Sequence, residues 1–303
     1  MENEMKTIAA ILIIAALLVP TLVWGADTAE WKGTAYPISS EYVELTDDKI
    51  DISDLITFLK QFPELKKVDM FETPVDRARI DALTEALPDV TFGWTMTVPC
   101  TNPAHPERKA HYIRTDAEVF STLHNNRCTL HTDEDLSVLK YCTNMLALDI
   151  GHNALTDLSF VASMPRLRVL IIGRNKVADL TPLENCPDLE YLEAFTNDIA
   201  SVEPLLRCTH LMYLNIPNNK VQDPELFAQM TWLKKLWAFN YFTKDLNNDR
   251  VPGSIKQLVR EALPDCRVNW SSSGNGGGFK DDMIVEMFDT GVYIPFADGL
   301  AAP

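Results

Sequence analysis

The stretch that decides the fold runs from Met145 to Asn219. Four segments in it align: Met145 to Asn153 (MLALDIGHN), Leu167 to Asn175 (LRVLIIGRN), Leu189 to Asn197 (LEYLEAFTN) and Leu211 to Asn219 (LMYLNIPNN). Each reads L-x-x-L-x-L-x-x-N with apolar replacements, and Asn153, Asn175, Asn197 and Asn219 stand 22 residues apart. A fifth copy, Leu233 to Tyr241 (LKKLWAFNY), keeps the apolar positions and replaces the asparagine with Tyr241. The second half of each unit recurs as well: Leu155-x-Asp157-Leu158, Val177-x-Asp179-Leu180, Ile199-x-Ser201-Val202 and Val221-x-Asp223-Pro224.

A period of this length with this pattern is the signature of a leucine-rich repeat solenoid. The expected fold is therefore an α/β repeat: 22-residue units, a parallel concave sheet, and short helices or 3-10 turns on the convex side. In the strand L-x-L, alternation sends the leucines into the core and the intervening residues to the concave face. The asparagines leave the strand where the chain turns, and a stack of their amides can satisfy backbone groups of adjacent turns. Asp157, Asp179 and Asp223 fall where a short helical turn should begin, as N-cap acceptors. Because each unit buries little alone, both ends of the stack must be closed.

The ends are legible from a second repetition. Glu85 to Asp89 and Glu261 to Asp265 are the same pentapeptide (EALPD), eight periods apart, each followed five residues on by a tryptophan, Trp94 and Trp270. Residues 26–98 then read as divergent N-terminal repeats and a cap, with strands around Val43, Val68 and Thr91. Residues 99–133 read as an irregular insertion, 134–242 as the regular repeats, 243–270 as a C-terminal cap, and 271–303 as a Gly/Ser linker and an apolar tail.

The first residues, 1–25, read as an export signal. Ile8 to Val19 (IAAILIIAALLV) is an unbroken apolar run of 12, too short for a bilayer span of roughly 20 residues. Val23 and Gly25 fit the −3 and −1 positions of a cleavage site. Glu2 and Glu4 sit badly in such a signal, and a start at Met5 removes the conflict. No stable membrane span is expected after cleavage. The formal charge of −16 speaks against nucleic acid as a partner, and only 12 glycines, with neither GxGxxG nor GxxxxGK[ST], leave little for a phosphate cradle.

The 22-residue units resemble the bacterial class of leucine-rich repeats to which the internalins belong. The wider arrangement, including His111 to Asn126 (HYIRTDAEVFSTLHNN) and Glu286 to Phe296 (EMFDTGVYIPF), resembles exported Clostridia-type leucine-rich repeat proteins. That resemblance implies a fold, export to the medium or cell surface, and binding through a surface. The chain shows no LPxTG motif and no lipobox cysteine, so the expected location is secreted or cell-surface without covalent wall attachment.

Outward strand positions form columns: Ala147, Val169, Tyr191, Tyr213, Lys235; then Asp149, Ile171, Glu193, Asn215, Trp237; then Gly151, Gly173, Phe195, Pro217, Phe239. Tyr191, Phe195, Tyr213, Trp237 and Phe239 gather on the last repeats, and exposed aromatic clusters mark interaction sites. The expected ligand surface is Tyr191, Glu193, Phe195, Tyr213, Asn215, Lys235, Trp237 and Phe239. A competing reading has the apolar tail, tethered by Ser271 to Gly278 (SSSGNGGG), fold back over that patch.

Cys142, Cys186, Cys208, Met164 and Met230 share one core-facing position, which reads as buried small hydrophobes. Cys186 and Cys208, on adjacent turns, are near enough in register for a bond to be conceivable. Cys100 and Cys128, in the insertion of an exported chain, are the candidate disulfide pair. His105, His111, His124, His131 and His152 cluster in sequence without a metal-ligand spacing, so no metal and no cofactor is expected. No GxSxG, HExxH or framed Cys-His pair is present, and Asp149 and Glu193 stand two strands, about 10 Å, apart. The expected function is therefore non-enzymatic: protein–protein interaction through the concave aromatic patch, with a glycan as the lesser partner. The alternative is a secreted glycan-binding or hydrolytic accessory protein that uses residues 99–133.

Overall fold

The computed structural model describes residues 27–46, 49–73, 75–100, 110–123, 129–238, 252–270 and 282–296. The export segment, Phe239, Tyr241, Cys128, His105, His124 and the Gly/Ser linker lie outside the described residues.

The chain opens on an antiparallel hairpin, β1 (Thr28–Trp31) and β2 (Thr34–Pro37). Next come β3 (Tyr42–Glu44), α1 (Ile52–Leu59), β4 (Lys67–Met70), α2 (Arg77–Ala86) and β5 (Thr91–Val98). The three strands are parallel, with Val43, Val68 and Phe92 in register. Both helices start on an aspartate whose carboxylate accepts orphan N–H groups: Asp51 from Ser53 and Asp54, Asp76 from Arg79. Phe58 of α1 meets Trp31, Tyr36 and Phe62, with ring centroids 5.0–5.6 Å apart, which ties the hairpin to the first helix.

The stretch 99–133, expected to be irregular, contributes β6 (His111–Arg114), antiparallel to β5, and β7 (Val119–Ser121). With β7 begins a seven-stranded parallel sheet. After α3 (Asp133–Leu136) come β8 (Ala147–Asp149), β9 (Val169–Ile171), β10 (Tyr191–Glu193), β11 (Tyr213–Asn215) and β12 (Lys235–Trp237). Helix α4 (Gly253–Ala262) and β13 (Arg267–Asn269) complete the stack. The two EALPD segments end α2 and α4 alike, with Leu87 and Leu263 N–H groups bonded back to Leu83 and Val259. Helix α5 (Asp282–Thr290) follows. The fold is a leucine-rich repeat solenoid.

Register explains the sheet. Phe120, Leu148, Leu170, Leu192, Leu214, Leu236 and Val268 align across it, and all point toward the core that runs from Ala29 to Leu263. On the convex side each unit forms a 3-10 turn, such as Thr181–Asn185 and Glu203–Arg207. Asp157 and Asp179 were expected at the cap position, but Leu158 and Leu180 occupy it. The two carboxylates act one residue earlier, accepting from the backbone N–H groups of Ser159 and Thr181 at 2.8 Å. Asp223 is a cap residue, yet its carboxylate reaches back one repeat to the Val202 N–H and the Ser201 hydroxyl.

The asparagines form a continuous ladder. Asn197 Oδ1 accepts from Val177 N–H at 3.0 Å, while its Nδ2 donates to Ile172 O at 2.9 Å and Ala194 O at 3.2 Å. Asn175 and Asn219 repeat that pattern on neighbouring turns. Asn153 takes the His131 N–H at 2.9 Å, which extends the ladder beneath the first repeat. The residue before each asparagine (His152, Arg174, Thr196, Asn218) adopts φ of 55–59°, the left-handed turn that swings the amide inward.

Cys142, Cys186 and Cys208 are wholly buried. Their sulfurs lie against carbonyl oxygens, such as Cys208 to Leu183 at 3.4 Å. All three are free thiols, so the conceivable Cys186–Cys208 bond is absent. Burial pushes their thiols up to about 12.

Candidate functional site

The concave face presents the residue columns that the repeat register dictates. Val119, Ala147, Val169, Tyr191, Tyr213, Lys235 and Arg267 form one row, and Ser121, Asp149, Ile171, Glu193, Asn215, Trp237 and Asn269 the other. Tyr191 and Tyr213 lie side by side, ring centroids 6.2 Å apart. The Tyr191 hydroxyl donates to Glu193 Oε2 at 2.9 Å. Asp149, 2% exposed, accepts from Gly151 N–H and the Ser121 hydroxyl, both at 3.1 Å. Both carboxylates thus hold local structure.

The expectation of an open aromatic surface requires correction. Tyr191, Tyr213 and Trp237 are 2%, 9% and 6% exposed. What covers the face is the C-terminal segment. Ile284, Met287 and Phe288, on one stripe of α5 at i, i+3 and i+4, join Ala147, Val169, Tyr191, Tyr213 and Trp237 in one apolar cluster. Beyond the helix, Phe296 stacks on Tyr191 and Tyr213, with centroid distances of 6.2 and 5.9 Å and interplanar angles of 14° and 24°. Tyr293 and Ile294 pack against the same cluster. The apolar stripe of α5 and the concave side chains Ala147, Val169, Tyr191, Tyr213 and Trp237 each have apolar area to remove from water, and burying one against the other satisfies both.

The polar fit is less complete than the apolar one. Beside the segment, Arg168 Nη1 donates to Glu190 Oε1 at 2.5 Å. Burial and then the Glu190 charge push the Tyr293 hydroxyl up to about 12. Among the described residues Glu190 Oε2, Tyr293 Oη and Asn215 Oδ1 are buried without a hydrogen-bond partner. Each such atom costs about 1–3 kcal/mol.

Of the remaining expected site residues, Lys235 is half-buried at the edge of the patch and Phe239 lies outside the described residues. Phe195 is half-buried: its ring lies over Gly173, where an added Cβ would come within 2.4 Å of it. The Arg174 guanidinium is 5.9 Å from that ring. Gly173 therefore leaves the space in which Phe195 sits.

Of the clustered histidines, His111 and His131 are buried side by side with ring centroids 5.8 Å apart, while His152 is exposed. Burial, then His131, lowers His111 to about 4, and burial lowers His131. Among the described residues no three His, Cys, Asp or Glu side chains are grouped to hold a metal. Cys100 is disulfide-bonded.

Sequence periodicity did not single out a second concavity, a cleft of about 700 Å³ between the N-terminal sheet and the first solenoid turn. Its aromatic walls, Phe71, Trp94, Tyr112 and Tyr141, come from four separated stretches with no common spacing.

No family profile matches the sequence, and no curated protein matches it. Among solved structures, an internalin from Listeria monocytogenes is similar over 78% of this chain and 57% of its own length, with 18% identity and a TM-score of 0.41. This chain thus spans less than two thirds of that internalin. Internalin C2 of the same organism is similar over 70% of this chain and 74% of its own, with 17% identity and a TM-score of 0.39. A leucine-rich repeat protein of Leptospira interrogans is similar over 74% of this chain and 52% of its own, with 15% identity and a TM-score of 0.37.

Proposed function

We propose that this chain is an exported, non-enzymatic leucine-rich repeat protein that binds a protein partner on the concave face of its seven-stranded sheet. In the absence of that partner its own C-terminal segment holds the face. The observation that carries this reading is the stacking of Phe296 on Tyr191 and Tyr213 with α5 beside it: the face already accommodates an apolar stretch of polypeptide. With the segment in place the buried oxygens of Glu190, Tyr293 and Asn215 lack hydrogen bonds, a cost that favours a partner which pairs them and displaces the segment. Export rests on the 12-residue apolar run before Pro20 and on the bonded state of Cys100. Among the described residues no helix is long and apolar enough to cross a membrane.

The test uses the full chain and a synthetic peptide covering Asp282 to Phe296. A Phe288→Ala/Phe296→Ala variant, with its own anchors removed, should take up the peptide at least tenfold more tightly than the unmodified chain. Adding Tyr213→Ala should abolish the uptake. Equal affinity in all three would rule out the concave face as the binding surface.

A further inference from the structure

The cleft of about 700 Å³ lies on a different sheet from the concave patch and is of a size that holds small ligands or a few side chains of a peptide. Its floor is aromatic and apolar: Trp94, 5% exposed, meets the edge of Tyr141 with centroids 4.9 Å apart, and Met96 is buried beside it. Tyr141 is held by its hydroxyl, which donates to Asp81 at 2.6 Å. At the mouth Tyr112 is 73% exposed, the most exposed large hydrophobic side chain among the described residues.

The charged lining divides into committed and uncommitted groups. Asp76 caps α2 and pairs with Arg79, and Arg77 is engaged by Asp81 and by the Ser137 hydroxyl. Asp135 closes the cap of α3 by accepting from Thr132. Glu72 and Glu134 are exposed and line the cleft, and among the described residues their carboxylates carry no hydrogen bond or ion pair. The uncommitted charge facing the cavity is therefore negative, within a chain of −16 that draws cations to its surface.

The same wall shows what an aromatic face does with a guanidinium here. Arg114, fixed by a two-point pair with Asp116 at 2.8 and 2.9 Å, holds its guanidinium carbon 3.6 Å from the centroid of Phe71. Aromatic faces attract such cations, and the aliphatic stem of an arginine covers apolar surface while its head reaches carboxylates.

We infer that this cleft is a second binding site, and that its ligand is an arginine-bearing basic peptide segment. Its stems lie on Trp94 and Tyr112, and its guanidinium groups pair with Glu72 and Glu134. The site is independent of the concave face and of whatever occupies it.

Triarginine amide is the probe, titrated calorimetrically into the full chain at about 0.15 M salt, where diffuse attraction between exposed charges is screened within about 8 Å. Saturable binding is expected, weakened at least tenfold in Glu72→Gln/Glu134→Gln and in Tyr112→Ala. A matched control, Glu203→Gln/Glu225→Gln, removes two exposed acids from the convex turns and should leave the affinity unchanged. All the substituted side chains are exposed, so the fold is retained. Equal loss in the control would reduce the interaction to general acidity and overturn the assignment. Absence of saturable binding, or saturable binding of maltotriose in place of triarginine, would overturn it too.

Discussion

Replacing Asn197 with alanine measures how much the ladder holds the stack together. The wild-type amide makes four bonds in a setting 7% exposed, the longest to Phe195 O at 3.4 Å, a carbonyl that also accepts from the Arg174 N–H. The two shorter carbonyl contacts are shared as well: Ile172 O also accepts from Asn175, and Ala194 O also accepts from Asn219. Both therefore keep a donor in the variant, and the only orphan is the Val177 N–H. One buried orphan costs about 1–3 kcal/mol and the two shorter shared bonds add about 0.5–1 kcal/mol each, so the expected loss is about 3 kcal/mol. That corresponds to a fall in Tm of about 6–12 °C, read by circular dichroism and checked by urea titration. Asn197→Asp adds a sign test. It retains the acceptor for Val177 but turns a carboxylate toward carbonyl oxygens, which raises its folded pKa above the unfolded value of about 3.9. Its contribution is then retained below about pH 4 and lost as pH rises through the folded pKa, so this variant should be relatively more stable in acid. A loss under about 1 kcal/mol for Asn197→Ala, or a pH-independent Asn197→Asp, would refute the shared-carbonyl account.

Gly173→Ala should cost about 1–3 kcal/mol by driving a methyl into the Phe195 ring, and the cost should vanish in a Phe195→Ala background, as urea titration of the double-mutant cycle would show. Alkylation of the denatured, unreduced chain should modify four cysteines, Cys142, Cys186, Cys208 and Cys266, with reduction adding the proposed Cys100–Cys128 pair; six modified without reduction would contradict that pairing. For His111 and His131 the folded pKa values lie below the unfolded value of about 6.5, so burying them neutral favours the native state above that pH. Their contribution should be withdrawn as pH falls from 6.5 toward 4, and His131→Phe should flatten the stability profile in that window; an unchanged profile would count against it.

The repeats were legible because each position makes a local demand renewed every 22 residues. Leucines need the core, asparagines need backbone partners, and one residue per turn must adopt positive φ. Register alone then placed Tyr191 beside Tyr213 and Glu193 beside Asn215. Periodicity is silent about what crosses it. The docking of Phe296 on Tyr191 is a contact across more than a hundred residues, decided by complementary apolar area and set by no repeat. The cleft depends on Phe71, Trp94, Tyr112 and Tyr141 converging from elements with no shared spacing. The caps expected at Asp157 and Asp179 were misplaced by one residue because those 3-10 turns start one position later than the pattern alone indicates, whereas Asp223 is the cap of its turn. Within 99–133, the strands His111–Arg114 and Val119–Ser121 lacked the leucine frame, since β6 pairs antiparallel and β7 carries Phe120 where the repeats carry leucine.

The coverage of the concave face is tested most directly by hydroxyl-radical footprinting of Tyr191 and Tyr213 in the full chain, read by mass spectrometry. Both rings should be strongly protected in the unmodified chain and oxidised about tenfold faster in Phe288→Ala/Phe296→Ala, with half-buried Tyr36 and Tyr141, remote from the segment, unchanged. Fast oxidation of Tyr191 and Tyr213 in the unmodified chain, or equal rates in both, would contradict the account of a face held by its own C-terminal segment.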